Sequence, residues 1–453
     1  MAAPWVEARR TGPARRAWLL CGTEGIGGAI RVPGDKSISH RGLLLGAMAH
    51  GTTEVHGFLR SQDCLATLGA LRALGVEVAE EAGVLRIFGQ GPEALREPDG
   101  ILDAGNSGTT LRLLAGLLAG RPFFSILTGD ASLRRRPMRR VVEPLTAMGA
   151  TLWGRAGGEY PPLAVRGGGL TGIHWHSPMA SAQLKSAILL AGLQASGETG
   201  VTEPSLSRDH TERMLGSFGV EVRRAGTTAT VRGGAVLRAA RLRVPGDLSS
   251  AAFFLVGAAA RPGAALRVEG VGVNPTRTGL LEVLTAMGAC VTTEAARVEA
   301  GEPVADLVVS GASLGGVSVG AAMISRLIDE VPVLAVAAAL AEGETVIADA
   351  GELRVKEVDR LAALQEELAR FGVDIRAEGD SLCIRGGRRL RGAVVSSRGD
   401  HRMAMALAIA ALFAEGETTV RDVACVDTSF PGFARLLLTV APGCDIREVP
   451  DEG

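Results

Sequence analysis

Short apolar runs recur along the chain, and each follows a polar or charged opening. The openings are Asp35-Lys36-Ser37, Asn106-Ser107-Gly108, Ser181-Ala182-Gln183, Asp247-Leu248-Ser249, Asp329-Glu330 and Asp400-His401-Arg402. They return roughly every 70 residues, somewhat above the usual periods of repeat folds. Phe253 to Ala260 and Val331 to Leu340 are apolar almost all round, which predicts helices buried on every side. They are too short for a bilayer, which needs about 20 apolar residues. A glycine-containing turn then leads into a β-branched strand such as Thr53 to Val55, Thr345 to Ile347 or Thr418 to Val420. After a polar loop comes a two-faced helix that runs into glycine: Leu65 to Gly75, Val141 to Gly149, Thr211 to Gly219, Leu280 to Gly288, Leu361 to Gly372 and Phe433 to Gly443. Leu361, Leu364 and Leu368 mark the apolar stripe of one such helix, with Arg360, Glu366 and Glu367 off it. Glycine is expected just past a helix, where the chain needs φ > 0. One or two strands close each unit, such as Val76 to Val78 and Val84 to Ile87. The sixth unit is expected to lack its final strand because the chain stops.

Six such units in 453 residues exceed one domain, and two domains of three units are the economical division. Arg243-Val244-Pro245-Gly246-Asp247 echoes Arg31-Val32-Pro33-Gly34-Asp35, so the chain is expected to cross between domains at both places. Domain I is then residues 1–34 with 246–453, and domain II is residues 35–245. Two helices per unit do not suit an ordinary doubly wound sheet. The expected class is α/β, with buried helices inside and sheets outside.

Composition narrows the function. The net charge is −1 and aromatics are 4%, so neither nucleic acid nor an acidic membrane is an expected partner. The six cysteines have no Cys-x-x-Cys spacing, which argues against a metal cluster or disulfide framework and suits a reducing cytoplasm. The Arg-rich stretch to about Trp18 reads as a disordered extension rather than an organellar transit peptide.

Cationic residues gather at two places in the unit: the start of the first helix and the loop before the second. Lys36 and Arg41 flank the first opening, and Arg134-Arg135-Arg136 fill the second unit's loop. Arg208, Arg277, and Lys356 with Arg360 occupy the next three loops, and Arg402 sits on the sixth opening. Helix N-termini carry unpaired N–H groups and a positive dipole end. Cations added there make sites for phosphate and carboxylate. Several of them around one cleft imply substrates with several negative groups. Each residue also has a plainer reading. Arg134 or Arg135 alone reads as a solvated surface charge, Asp35, Asp247 and Asp400 as N-caps, and His40 and His401 as structural. Recurrence across the units is what favours function. Asp329 and Glu330 together begin a wholly apolar helix, which suggests proton transfer, and Glu357 beside Lys356 is a second candidate. Lys36 among other cations is a plausible proton carrier.

Pro33-Gly34-Asp35-Lys36-Ser37-Ile38-Ser39-His40-Arg41 resembles the substrate-binding segment of the 5-enolpyruvylshikimate-3-phosphate synthase family. Gly105 to Thr109, Arg136-Pro137-Met138, Leu353 to Arg360 and Asp400 to Met405 match the same family in order. Pro178 to Ser186 and Asn274 to Gly279 are similar to its class II bacterial branch. The resemblance implies a two-domain inside-out α/β barrel of the enolpyruvyl transferase type, each domain three βαβαββ-like units, with the active site in the interdomain cleft. It implies transfer of the enolpyruvyl group of phosphoenolpyruvate (PEP) to the 5-hydroxyl of shikimate 3-phosphate, with no cofactor and no metal. By motif, Lys36, Gly108, Arg136, Arg360 and Arg402 would hold PEP. Ser37, Arg41, Ser181, Ala182, Gln183, Ser207 and Lys356 would hold shikimate 3-phosphate, with Gln183 between both ligands. Asp329 would take the 5-hydroxyl proton, and Glu357 and Lys36 would handle the proton at the PEP methylene. A monomer in the cytoplasm is expected, with glyphosate as an inhibitor because Gly108 leaves room where tolerant relatives resemble Ala. Other members differ at the positions of His210 (Tyr), Glu352 (Asn) and Thr428 (Lys), and these three receive no role. The alternative is UDP-N-acetylglucosamine 1-carboxyvinyltransferase, which usually carries a reactive Cys in the loop that here runs from Gly129 to Met138 without one.

Overall fold

In the computed structural model, residues 16–23 and 25–451 are described. The six opening helices are Lys36–Met48, Gly108–Ala119, Ala182–Gly192, Leu248–Ala259, Val331–Leu340 and His401–Ala411. All twelve residues of Leu248–Ala259 are buried, as the apolar run from Ala251 onward predicts. Five of the six are capped by a polar residue of the opening, three of them (Asp35, Asp247 and Asp400) as predicted. Asp35, Ser107, Ser181, Asp247 and Asp400 each accept a backbone N–H of the first turn, a contact worth about 1 kcal/mol. The fifth-unit helix differs: Glu330 stands at its N-cap and makes no capping bond.

The second helices are Gln62–Ala73, Arg139–Ala147, His210–Ser217, Gly279–Ala286, Arg360–Arg370 and Phe433–Val440. The glycines beyond them, from Gly75 to Gly443, have φ between 79° and 110°, a region that opposes other residues. An additional helix, Ala321–Leu327, precedes the fifth opening; the apolar pattern did not foretell it.

The described strands form six four-stranded sheets. In the fifth unit, Ser318–Val319 runs parallel to Glu344–Ile347, which pairs antiparallel with Ser381–Arg385, itself paired with Asp374–Glu378. This is the βαβαββ unit. At the two crossings the units exchange leading strands. Gly27–Ile30 precedes the first helix in sequence but pairs with Ala265–Gly272 of the fourth unit. Arg241–Arg243 precedes the fourth helix but pairs with His50–His56 of the first. The crossing segments bond each other: Asp35 N–H donates to the Pro245 carbonyl at 2.8 Å, and Asp247 N–H to the Pro33 carbonyl at 2.9 Å. Gly34 is required there, since a Cβ would stand 2.1 Å from the Gly57 carbonyl oxygen.

One expectation holds and one fails at the ends. Among the described residues the sixth unit supplies no final strand of its own, as expected, and Arg16–Leu20 fills that place in its sheet, between Thr418–Arg421 and Ile446–Pro450. The extension read as disordered to about Trp18 therefore enters a sheet from Arg16 onward; its earlier part, residues 1–15, lies outside the described residues. Trp18 and Leu20 alternate inward, and Trp18 stacks on Phe433 with ring centroids 5.8 Å apart.

The buried apolar residues fall into two clusters. One runs from Ile38 to Val244; the other joins Trp18–Val32 to Leu248–Ala441. In both, helices fill the centre and sheets cover the outside, with alternate strand residues facing in. Among the described residues no helix is long and apolar enough to cross a membrane.

Candidate active site

Between the two clusters lies a cavity of about 330 Å³, ringed by the N-termini of opening helices from both halves. Each helix presents its first turn because its apolar remainder is consumed by packing. Lys36, Ser37, Gly108, Arg136, Ser181, Ala182, Gln183 and Ser207 line it from one half. Asp329, Lys356, Glu357, Arg360 and Arg402 line it from the other. Every candidate faces this cavity except Arg41. Arg41 stands behind the wall, where its guanidinium donates to Thr211 Oγ1 at 2.7 Å, Ser186 Oγ at 2.7 Å and the Ser37 carbonyl at 3.0 Å. Arg134 and Arg135 are exposed, as the plainer reading expected.

The acids are bound to cations across the cleft. Asp329 lies 2.7 Å from Arg208, 3.5 Å from Arg402, 3.7 Å from Arg360 and 4.0 Å from Lys356. Glu357 lies 2.7 Å from Arg360 and 3.4 Å from Arg136. Arg360 is 1% exposed and also pairs with Asp400 at 2.8 Å. Burial alone would raise the Glu357 carboxyl, but Arg360, Arg136, His401 and Lys36 hold it well below the usual carboxylate range. The Lys356 ammonium is pushed down, first by burial and then by Arg360 against the opposing pull of Asp329. Lys36 goes the other way. Burial and Arg402 lower it, but Asp63, 3.0 Å from its Nζ, together with Glu357 outweighs them and keeps the ammonium charged.

Three further wall residues, Arg112, Asp63 and Arg140, are not among those expected from the sequence. Arg112 Nη1 donates to Gln183 Oε1 at 2.6 Å, and Gln183 Nε2 donates to Thr109 Oγ1 at 2.9 Å, which fixes the glutamine amide. Burial, then Arg140 and Arg136, lower the Arg112 guanidinium to about 9. The overlooked signal was a lone charge inside an apolar run, Leu111-Arg112-Leu113-Leu114, which needs a reason. Asp63, the partner of Lys36, and Arg140, 3.4 Å from Glu352, had no local signal. His401, read as structural, lines the cavity and sits 3.3 Å from Thr428 Oγ1; Glu352 lines it too. His210 lies outside the wall, bonded to Glu302 at 2.7 Å.

Helices packed inside, sheets outside, and a cation-rich cleft between two such halves define an enzyme for small polyanions on the inside-out α/β architecture. The model of EPSP synthase (3-phosphoshikimate 1-carboxyvinyltransferase) matches residues 21–437. A 3-phosphoshikimate 1-carboxyvinyltransferase of Desulforudis audaxviator is 56% identical over 414 residues, 91% of this chain and 96% of the relative. One from Brevibacillus brevis is 51% identical over 92% of this chain and 98% of its own length. The solved structure of EPSP synthase from Acinetobacter baumannii superposes with a TM-score of 0.85 at 44% identity, covering 96% of this chain and 100% of that one. The chain belongs to the EPSP synthase family.

Proposed function

We propose that this cleft transfers the enolpyruvyl group of PEP to the 5-hydroxyl of shikimate 3-phosphate, with release of inorganic phosphate. The observation that carries the reading is the convergence of Lys36, Arg136, Arg360 and Arg402, from four different units, on one cavity. Two phosphates and two carboxylates require such a set of cations. Arg136, Arg360, Arg402, Lys36 and Gly108, which brings no side chain into the cleft, form the PEP subsite. Ser37, Ser181, Ala182, Gln183, Ser207 and Lys356 hold shikimate 3-phosphate, and Arg41 supports Ser37 from behind.

The chemistry is an addition followed by an elimination. A proton reaches the PEP methylene carbon from the Glu357 and Lys36 side of the cleft, while the 5-hydroxyl oxygen bonds to the adjacent carbon and gives its proton to Asp329. The tetrahedral product then loses phosphate as a methyl proton returns to the enzyme, restoring the double bond. The cations balance the charge of phosphate as it leaves. Glu357 accepts a hydrogen bond from Arg360, pairs with Arg136 and is held ionised. Substrate anions compete for those arginines, and a carboxylate released from them becomes a better proton carrier.

Residues 1–34 with 246–453, and residues 35–245, act as two domains that close on the substrates, a division the two separate cores support. A monomer is the proposed working unit. All six cysteines are free thiols, which accords with a cytoplasmic setting. Glyphosate competes with PEP at the arginine subsite.

The test is phosphate release from PEP with shikimate 3-phosphate, run beside UDP-N-acetylglucosamine as acceptor. Turnover with the first alone supports the reading; turnover only with the second overturns it. The absence of Cys between Gly129 and Met138 favours the first.

A further inference from the structure

Behind the wall of the third unit lies a buried charge cluster that the chemistry above does not use. Lys185, on the first turn of Ala182–Gly192, is 2% exposed. Its Nζ lies 2.9 Å from Glu203 and 2.8 Å from Glu212. Glu203 follows the strand Glu198–Thr202, and Glu212 belongs to the helix His210–Ser217. Two buried carboxylates on one ammonium are costly to desolvate, and an apolar packing of the same volume is commonly as stable. Packing alone therefore does not account for them.

Glu203 is also bonded to the cleft loops. Its Oε1 accepts the Ser181 N–H at 2.8 Å, and its Oε2 accepts the Ser207 N–H at 3.4 Å. Ser181 and Ser207 both line the cavity. One carboxylate thus joins the loop before the opening helix to the loop before the second helix. Backbone donors held by a carboxylate make charge-assisted bonds, which fix position well. A negative charge behind a phosphate subsite would repel the phosphate, and Lys185 offsets part of it. Burial lowers the Lys185 ammonium, but Glu212 and Glu203 outweigh that and keep it charged. The PEP side is held by other partners: Arg136 by Asn106 and Glu357, Arg360 by Asp400.

We infer that Lys185 and Glu203 are positioning residues that set Ser181 and Ser207 for the phosphate of the acceptor substrate, and so govern affinity for shikimate 3-phosphate separately from affinity for PEP. The inference rests on the proposed function.

Steady-state kinetics of wild type, Glu203→Gln, Lys185→Met and Lys185→Arg decide it, with each substrate varied in turn and melting temperature recorded beside. Loss of a hydrogen bond to a charged group corresponds to about 10- to 100-fold. Glu203→Gln and Lys185→Met are expected to raise KM for shikimate 3-phosphate by about that factor, with KM for PEP changed by less than about threefold. Lys185→Arg keeps the charge and is expected to recover most of the affinity. Should the first two variants fail to fold, Glu203→Asp decides in their place, because its shorter side chain draws the carboxylate away from the Ser181 and Ser207 N–H groups: a selective rise in KM for shikimate 3-phosphate supports the inference and unchanged constants overturn it. Equal rises in both KM values, or a lowered melting temperature with both constants unchanged, reduce the pair to a structural role and overturn it. A wild-type protein inert with both substrates sinks the proposed function and this inference with it; an active wild type with unaffected variants sinks this inference alone.

Discussion

The Asp329 carboxylate lies 2.7 Å from the Arg208 guanidinium, and the two residues come from opposite halves of the molecule. Arg208 belongs to the third unit and Asp329 to the head of the fifth. Burial alone would raise the Asp329 carboxyl, yet Arg402, Arg208, Lys356 and Arg360 together hold it well below the usual range. Asp329 is therefore ionised before substrate arrives, as a proton acceptor must be. The same ion pair ties the two halves together across the cleft.

Replacing Asp329 with Asn keeps the shape and removes the proposed base. We expect kcat to fall by about 10²- to 10⁴-fold, the usual range for a lost general base. Glu357→Gln is expected to fall within the same range, since its amide cannot carry the methylene proton. Phosphate release under saturating PEP and shikimate 3-phosphate measures both. Full turnover in either variant removes that residue from the mechanism.

Stability should fall in acid. Asp329 and Glu357 have folded-state values well below the ordinary 3.8 and 4.5. The folded protein thus binds these two protons more weakly than the unfolded chain does. Their stabilisation is complete above the unfolded values and fades as pH drops from those values toward the lower folded ones. Melting temperature is expected to hold from pH 7 to about pH 5 and to decline below that. In Asp329→Asn the acid decline should be shallower; an identical decline in both proteins contradicts this account.

Gly108 is a tight position. A Cβ there would stand 2.7 Å from Arg112 Nη1 and 3.5 Å from Arg136 Nη1. Arg112 is the flexible partner, and its shift disturbs the bond to Gln183. Gly108→Ala is expected to weaken glyphosate inhibition by about tenfold or more, a loss of about 1.4 kcal/mol. KM for PEP should rise less, because the protein's own substrate reaches the same arginines with a different shape. Competition assays at several PEP concentrations test this, and equal inhibition of the two proteins defeats it.

Arg277 is the pin of the double crossing. It is 3% exposed, pairs with Asp35, lies 3.1 Å from Asp247 and donates to Ser249 Oγ at 2.7 Å. Asp35 and Asp247 end the two crossing segments and cap the helices that follow. Arg277→Ala leaves two buried carboxylates unpaired, a change that costs about 3–5 kcal/mol. Chemical denaturation should show that loss. A loss below about 1 kcal/mol, typical of exposed ion pairs, rules out the pinning role.

Much of this was written in local pattern. The repeat, the burial of Leu248–Ala259 and Val331–Leu340, the glycine stops and the caps at Asp35, Asp247 and Asp400 follow from nearest-neighbour chemistry, so they are legible in the residues themselves. The cationic openings were legible for the same reason: a helix start is a local event with a local charge. What the sequence could not express is pairing between distant segments. The exchange of Gly27–Ile30 and Arg241–Arg243 between units, and the entry of Arg16–Leu20 into the sixth sheet, depend on strand edges that meet only after collapse. Asp63 beside Lys36, Arg112 beside Gln183 and Arg41 withdrawn behind the wall are likewise fixed by packing, because a side chain's partner is whatever the fold brings within 3 Å. Residue type and spacing decided which helices are buried and where charge gathers. Tertiary structure alone decided which charge meets which, since Coulomb and hydrogen-bond energies depend on distances that no run of neighbouring residues encodes.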